Sequence, residues 1–347
     1  MHIFEYLIAG LLGFGLTVLM VPFIKFVATH LNIVDKPDES RKTHKAPTPL
    51  LGGIGIYLAV TIGIFIIYYA GLADFSRIPL SILLAVNFGG LLLMIGGALD
   101  DIYRLKPWQQ IIWPVCAALL VVASGVQVAY VTDPFGGLSK SVLYITPMIG
   151  SIVAFGWLMG MMYTTKFLDG LDGLVSGIAV IASLFVFIAS LAWDVDGSAT
   201  GVWALLVASA CLGFLIFNWH PAKIFLGEGG SLYIGFILGV LSIISGSKIM
   251  TTLLVVGIPV LDVLFVIIGR LWRKQSPFSH ADRTHLHFQL LDRGHSQRQV
   301  VLLLYMIALV FGTVSTITNS MGKIIGFALL IVLMIVLLAP WRNLKKV

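Results

Sequence analysis

An all-α, polytopic membrane bundle of about eleven transmembrane helices is the fold class that this sequence predicts. Three observations predict it. The chain has 347 residues, of which 59% are hydrophobic, and its mean hydropathy is +1.00. Only 11% of the residues are charged, against about 25% in an ordinary soluble domain, too few to cover a water-facing surface. Apolar runs near the ~20 residues that a helical span requires recur from end to end. Together they exclude a soluble enzyme, a disordered regulator and a disulfide-stapled secreted module. Residues 1–347 read as a single transmembrane domain. Cys116 and Cys211 lie inside apolar runs and read as small core residues, not as a disulfide framework or a zinc site.

The apolar runs place helices near 4–30, 50–71, 78–99, 108–127, 146–167, 173–192, 201–218, 230–246, 249–270, 299–318 and 323–340. The first carries no A-x-A-like cleavage site and is expected to be a retained span. The connections alternate in charge. Eighteen of the 22 Lys and Arg residues, from Lys25 to Lys346, fall on one set, and only Arg77, Lys140, Lys248 and Lys323 on the other. The positive-inside bias puts the rich set in the cytoplasm, the N-terminus outside and the C-terminus inside. A multi-pass protein of the cytoplasmic membrane is expected. The net charge of +6 then reads as a topology signal joined to a site for anionic substrates, with no nucleic acid implied. Trp108, Trp219, Trp272 and Trp341 lie near span ends and read as interfacial anchors.

Polar residues crowd the cytoplasmic connections, near 31–49, 100–107, 168–172, 219–229 and 271–298, where the active site is expected. Asp100 and Asp101 follow an apolar run; adjacent carboxylates there repel each other unless an ion or a proton intervenes, although a solvated helix end also carries aspartates. In Phe167-Leu168-Asp169-Gly170-Leu171-Asp172-Gly173, two acids three residues apart share a helical face. The flanking glycines let backbone approach a ligand; a capped turn explains one Asp-Gly but explains two poorly. The segment from Asn218 to Ser231 holds Glu228 in a glycine-rich turn that opens a helix, a setting that suits phosphate oxygens and a hard cation. His280 to Phe288 supplies Arg283, His285 and His287; no cysteine is near enough for a zinc site, and the basic side chains suit a pyrophosphate, though a solvated loop has the same composition. Asp262 is an acid within a span, read here as a helix-to-helix hydrogen bond. Convergence of acids, glycine turns and a basic loop on one face describes a Mg²⁺-dependent site for a phosphorylated substrate.

At these residues the chain resembles the polyprenyl-phosphate N-acetylhexosamine-1-phosphate transferases. The resemblance covers almost the full length. It rests on five ordered motifs: Arg41-Lys42-x-His44-x-x-Pro47-Thr48-Pro49-x-x-Gly52-Gly53, Asp100-Asp101, Asp169-Gly170-Leu171-Asp172-Gly173, Phe225-x-Gly227-Glu228 and His285-x-His287. It implies an enzyme that moves N-acetylhexosamine-1-phosphate, expected to be GlcNAc-1-phosphate, from a UDP-sugar to undecaprenyl phosphate. UMP is released in this first membrane step of a cell-envelope polysaccharide. Transfer of phospho-MurNAc-pentapeptide to make lipid I is the alternative. A transporter is a remote one, because it needs polar groups near the midplane and here they gather at one end.

The resemblance also assigns roles. Asp100 is implied as the acid that meets the lipid phosphate, with Asp101 beside it, and His285 and His287 as catalytic partners. Glu228, with Asp101, stands for the binding of Mg²⁺, Mn²⁺ being an admissible substitute. Lys45, Asp172, Gly170 and Leu171 resemble a nucleoside pocket, with Phe225 placed to stack on uracil. Thr48, Asp169, Asn218 and Arg283 complete the substrate contacts. A homodimer is compatible with the family. Three departures stand out. Glu228 replaces the family's usual Asp, Tyr163 and Lys166 replace two Asn residues, and the histidine loop lacks one His. Eleven spans with an inside C-terminus resemble the teichoic acid and common antigen branch, where lipid I enzymes are expected to have ten.

Overall fold

The computed structural model describes residues 3–37, 46–132, 142–193, 198–246, 249–274 and 284–338. The chain opens with α1 (Ile3–His30), then β1 (Val34–Asp35) and β2 (Thr48–Pro49). β1 and β2 pair antiparallel, Val34 opposite Pro49 and Asp35 opposite Thr48. The next helices are α2 (Gly52–Tyr69), α3 (Leu80–Tyr103), the four-residue α4 (Pro107–Gln110) and α5 (Ile112–Ala123). At the far end, β3 (Tyr130–Thr132) and β4 (Val142–Tyr144) form a second antiparallel pair before α6 (Pro147–Leu168). Then follow α7 (Leu174–Trp193), α8 (Ala199–Asn218), α9 (Gly227–Ile244), α10 (Ile249–Val255), α11 (Gly257–Trp272), α12 (Leu286–Asp292), α13 (Gln297–Ile317) and α14 (Ser320–Leu338).

All eleven expected runs become helical, and two of them differ in form. The run near 108–127 is α4 followed by α5. Pro107–Ala123 is shorter than the nine helices long enough to cross a membrane among the described residues, and at 1.5 Å per residue it spans about 25 Å, less than the ~30 Å hydrocarbon core. The run near 249–270 is broken, α10 and α11 meeting at 79°. Pro259 supplies the cause: it has no N–H to continue the ladder, and its ring clashes with the carbonyl four residues back, at Val255. Among the described residues, nine helices are long and apolar enough to cross a membrane, and the bent pair makes up to ten.

The bundle is built around α9. Some 89% of its apolar window is buried, against 28% for α1, 33% for α13 and 17% for α14. Helices that are apolar all round yet exposed, as α14 is, belong against lipid, where every backbone polar group is satisfied within the helix. Some polar side chains of the central helices are paired across them. Trp157 of α6 donates to Ser242 of α9 (2.8 Å), and the Tyr57 hydroxyl of α2 donates to the Asn87 carbonyl of α3 (3.1 Å). The Tyr57 ring also meets Tyr233 of α9 edge-on at 5.4 Å. Such ties fix the rotation of each helix about its axis where apolar packing alone would let it slide. They aim the starts of α2, α7 and α9 and the ends of α3, α6 and α8 at one another.

Candidate active site

Glycine contacts bring three of these helix ends together. A side-chain carbon on Gly97 would lie 2.0 Å from the Gly229 nitrogen, and one on Gly53 would lie 2.1 Å from the Gly230 Cα. Backbone therefore meets backbone where α3 and α2 cross the first turn of α9. The segment before α2 locks onto the same turn: Phe225 N–H donates to Pro49 O (2.8 Å), Gly52 N–H to Phe225 O (2.9 Å) and Gly53 N–H to Leu226 O (2.8 Å). Thr48, expected to touch substrate, is buried, and its hydroxyl donates to Ala46 O (3.2 Å). Phe225 remains half-buried.

That crossing sets two acids face to face. Asp101, in the last turn of α3, accepts from the Glu228 backbone N–H with both oxygens, at 3.2 and 3.3 Å. It thereby caps the N-terminus of α9, whose orphan N–H groups and dipole favour an anion. The side chain of Glu228 turns to α6 and forms an ion pair with Lys166. Lys166 also donates to Gln110 Oε1 (3.0 Å), and Gln110 Nε2 donates to Asp100 Oδ1 (3.0 Å). Asp100 Oδ1 accepts from Leu105 N–H as well (2.8 Å). One chain of contacts thus runs from Asp100 through Gln110 and Lys166 to Glu228. Asp100, Gln110 and Glu228 also line a narrow crevice together with Gly96, Gly97, Trp113 and Leu232.

A second acid cluster lies beside the first. Asp172 is buried and accepts from His220 Nδ1 (2.6 Å) and Ala222 N–H (3.1 Å). Asn218 accepts from Gly173 N–H (3.0 Å) and the Ser176 hydroxyl (3.1 Å) and donates to Ile224 O (3.0 Å). Tyr305 of α13 donates to Gly173 O, and Arg298 donates to His220 O (2.8 and 3.1 Å). These bonds weld the 169–173 turn to the 218–224 loop. In this arrangement the Asp172 and Asn218 side chains are occupied in holding backbone, and buried Leu171 packs beneath.

The histidine loop completes the assembly. Asp262 of α11 accepts from His285 Nδ1 (2.8 Å) and from Leu286 N–H (2.8 Å), so the intramembrane acid anchors the loop and caps α12. His285 stacks on Phe167 (5.8 Å, 20°) and on His287 (5.8 Å, 9°). A side-chain carbon on Gly170 would sit 2.5 Å from His287 Nε2, which explains a glycine there. Lys45 and Arg283 lie outside the described residues.

Electrostatics join the clusters. Asp101 feels Glu228, Asp100 and Asp169, and Glu228 feels Lys166 and Asp100. Asp169, just beyond the end of α6, keeps an exposed edge, yet the protein packed around it pushes its carboxyl up to about 7, with repulsion from Glu228 and Asp172 adding to that. Several carboxylates with one lysine among them suit a hard divalent cation. Among the described residues no three acid, His or Cys side chains are grouped closely enough to hold a metal alone. The donor set fits Mg²⁺ nonetheless, because that ion takes one or two carboxylates and completes its shell with water and substrate phosphate.

Gln110, His220, Arg298 and Tyr305 are the site residues that sequence reasoning missed. No local motif marks Gln110, Arg298 or Tyr305, and His220, inside the 218–231 segment, carries no sign of its partner. Gln110 becomes informative only when α4 folds back against α3, and His220 only when the loop after α8 returns to Asp172.

Comparison with known proteins bears on the whole chain. Residues 82–246 match the family described as "Glycosyl transferase family 4". The chain is 30% identical to the "Probable undecaprenyl-phosphate N-acetylglucosaminyl 1-phosphate transferase" of Bacillus subtilis over 88% of its own length and 83% of the relative's. It is 31% identical to the decaprenyl-phosphate N-acetylglucosaminephosphotransferase of Mycolicibacterium smegmatis, covering 98% and 89%. A phospho-N-acetylmuramoyl-pentapeptide-transferase of Halalkalibacterium halodurans is 30% identical, covering 88% and 94%.

Proposed function

Because this chain belongs to the polyprenyl-phosphate N-acetylhexosamine-1-phosphate transferases, a family of multi-pass membrane enzymes, we propose that it transfers GlcNAc-1-phosphate from UDP-GlcNAc to undecaprenyl phosphate and releases UMP. The observation that carries this reading is the junction of Asp100, Asp101 and Glu228, three acids from two helix ends, beside a lysine and a narrow crevice. The relatives named for N-acetylglucosamine transfer support the choice of sugar.

Glu228 and Asp101 would hold Mg²⁺, whose chemistry when bound is to neutralise charge on the diphosphate. The chain's own residues supply the rest. Asp100, fixed by Leu105 N–H and Gln110, meets the lipid phosphate at the headgroup level. That phosphate is already an anion, so its oxygen needs little activation to attack the phosphorus next to the sugar. The bond from that phosphorus to the bridging oxygen breaks, and UMP departs with the electron pair. The welded 169–173 and 218–224 loops form the wall toward the nucleotide, and the stacked His285 and His287 close it from the side of α11. A site at the end of the bundle, facing the cytoplasm, suits substrates that arrive from two phases, one from water and one from lipid.

The test is purified protein with Mg²⁺, undecaprenyl phosphate and a panel of UDP-sugars that includes UDP-MurNAc-pentapeptide, scored for UMP. UMP is expected with UDP-GlcNAc. A response to the pentapeptide substrate alone would move the assignment to lipid I synthesis, and no UMP from any sugar would remove the transferase reading.

A further inference from the structure

Tyr163, Lys166 and Gln110 form one unit around the Glu228 carboxylate. The Lys166 ammonium pairs with Glu228, donates to Gln110 Oε1 at 3.0 Å and stands 5.8 Å from the centre of the Tyr163 ring. Tyr163 lies one turn earlier on α6, so the two face the same way, and the ring's negative face adds to the attraction. Both side chains of the ion pair are largely buried, 18% and 17% exposed, so water screens the pair little. A lysine held on three sides is pre-positioned; it does not sweep through solvent. Tyr163 and Lys166 are also the positions where the sequence departs from the two asparagines of the family it resembles.

We propose that Lys166 is a built-in counter-cation that competes with the divalent ion for Glu228, making this chain bind that ion more weakly than its carboxylates alone would. The inference rests on the reading of Glu228 as a metal-holding residue. A fixed positive charge at hydrogen-bond distance from a carboxylate repels a second, doubly charged cation from the same oxygen. Divalent-ion binding must therefore displace the ammonium or share the carboxylate with it. Lys166 acts here as a positioning residue, through Glu228 and, by way of Gln110, on Asp100.

The experiment is Mn²⁺ binding to the purified full-length protein in detergent, without substrates, read by the electron paramagnetic resonance signal of free Mn²⁺. Lys166→Met and Lys166→Asn are expected to bind Mn²⁺ at least tenfold more tightly than the unaltered chain, while Lys166→Arg, which keeps the charge, stays weak. Adding Glu228→Gln to Lys166→Met should remove the gain. Two neutral variants make the test robust to misfolding of one, each checked by a monodisperse elution profile. Unchanged or weaker Mn²⁺ binding in folded neutral variants overturns the proposal, as does equal tightening by Lys166→Arg. Because the readout is metal alone, UMP release by the unaltered chain judges the transferase reading separately.

Discussion

Two acid-and-glycine turns stand side by side in this site and do opposite things with their carboxylates. Asp172 receives two hydrogen bonds from a neighbouring loop and is buried. Glu228 receives a side-chain partner, the Lys166 ammonium, and borders a crevice. In sequence the two look alike, each an acid flanked by glycines at a helix end. What separates them is where the backbone donors go. The 218–224 loop needs an acceptor for its N–H groups and takes Asp172, whereas the N-terminus of α9 already has Asp101 as its cap. The Glu228 carboxylate is thereby left to a side-chain partner, Lys166, while the Asp172 carboxylate is taken up by its neighbouring loop.

The comparison breaks most sharply at Glu228. Glu228→Gln is expected to cut UMP release about a thousandfold or more, the loss of several kcal/mol of charge stabilisation, with thermal stability within about 1 kcal/mol of the unaltered chain. Full activity with unchanged Mg²⁺ dependence would refute the metal assignment. Asp172 should behave in the reverse way. Asp172→Ala leaves the His220 and Ala222 donors without their acceptor and is expected to cost about 2–4 kcal/mol, seen as early thermal unfolding. Asp172→Asn, which keeps an acceptor oxygen, should hold turnover within about tenfold of the unaltered chain. Loss of turnover at full stability would instead support the nucleoside contact that the family resemblance implies.

Gly97→Ala probes the crossing itself. Its new carbon would meet the Gly229 backbone, and overpacking of this kind costs about 1–3 kcal/mol. Gly156→Ala, where nothing lies within 4 Å, should be neutral or stabilising by a few tenths to about 1 kcal/mol. Equal effects of the two in thermal unfolding would deny the close approach of α3 to α9. The smallest effect concerns pH. The folded-state carboxyl of Asp169 is raised to about 7, so between about pH 4 and pH 7 the folded chain holds a proton that the unfolded chain has lost. Its contribution to stability therefore falls as pH rises through that window and is flat above it. Without divalent ion, a Tm decline of about 1–2 °C is expected, removed by Asp169→Asn. A Tm that rises over the same window and responds to that substitution would give the wrong sign.

Much of this was legible beforehand. Hydropathy located the long apolar helices, because a bilayer tolerates few polar interruptions, but not the short α12; the polar clusters at 100–101, 169–172, 218–231 and 285–287 do converge at one end. The partners of those clusters were not legible. Gln110 sits in a four-residue helix whose return toward Asp100 depends on a left-handed residue, Arg104 (φ 51°), at the end of α3. In the sequence Lys166 stands only as a replacement for an asparagine, and its pairing with Glu228 needs α6 and α9 to be seen together. The sequence suggests a helix-to-helix hydrogen bond for Asp262; its partners are the histidine loop and the start of α12, 23 and 24 residues on. Hydropathy also could not show that one run bends by 79°, since Pro259 is apolar by composition and acts only through the backbone.

The central claim is a transfer of phosphate together with its sugar, and isotopic labelling tests it directly. With UDP-GlcNAc carrying ³²P at the phosphate next to the sugar, Mg²⁺ and undecaprenyl phosphate, the label is expected in the organic-extractable lipid while the released UMP stays unlabelled. Label recovered in UMP, or remaining in water as free GlcNAc-1-phosphate while the lipid stays unlabelled, would contradict the account.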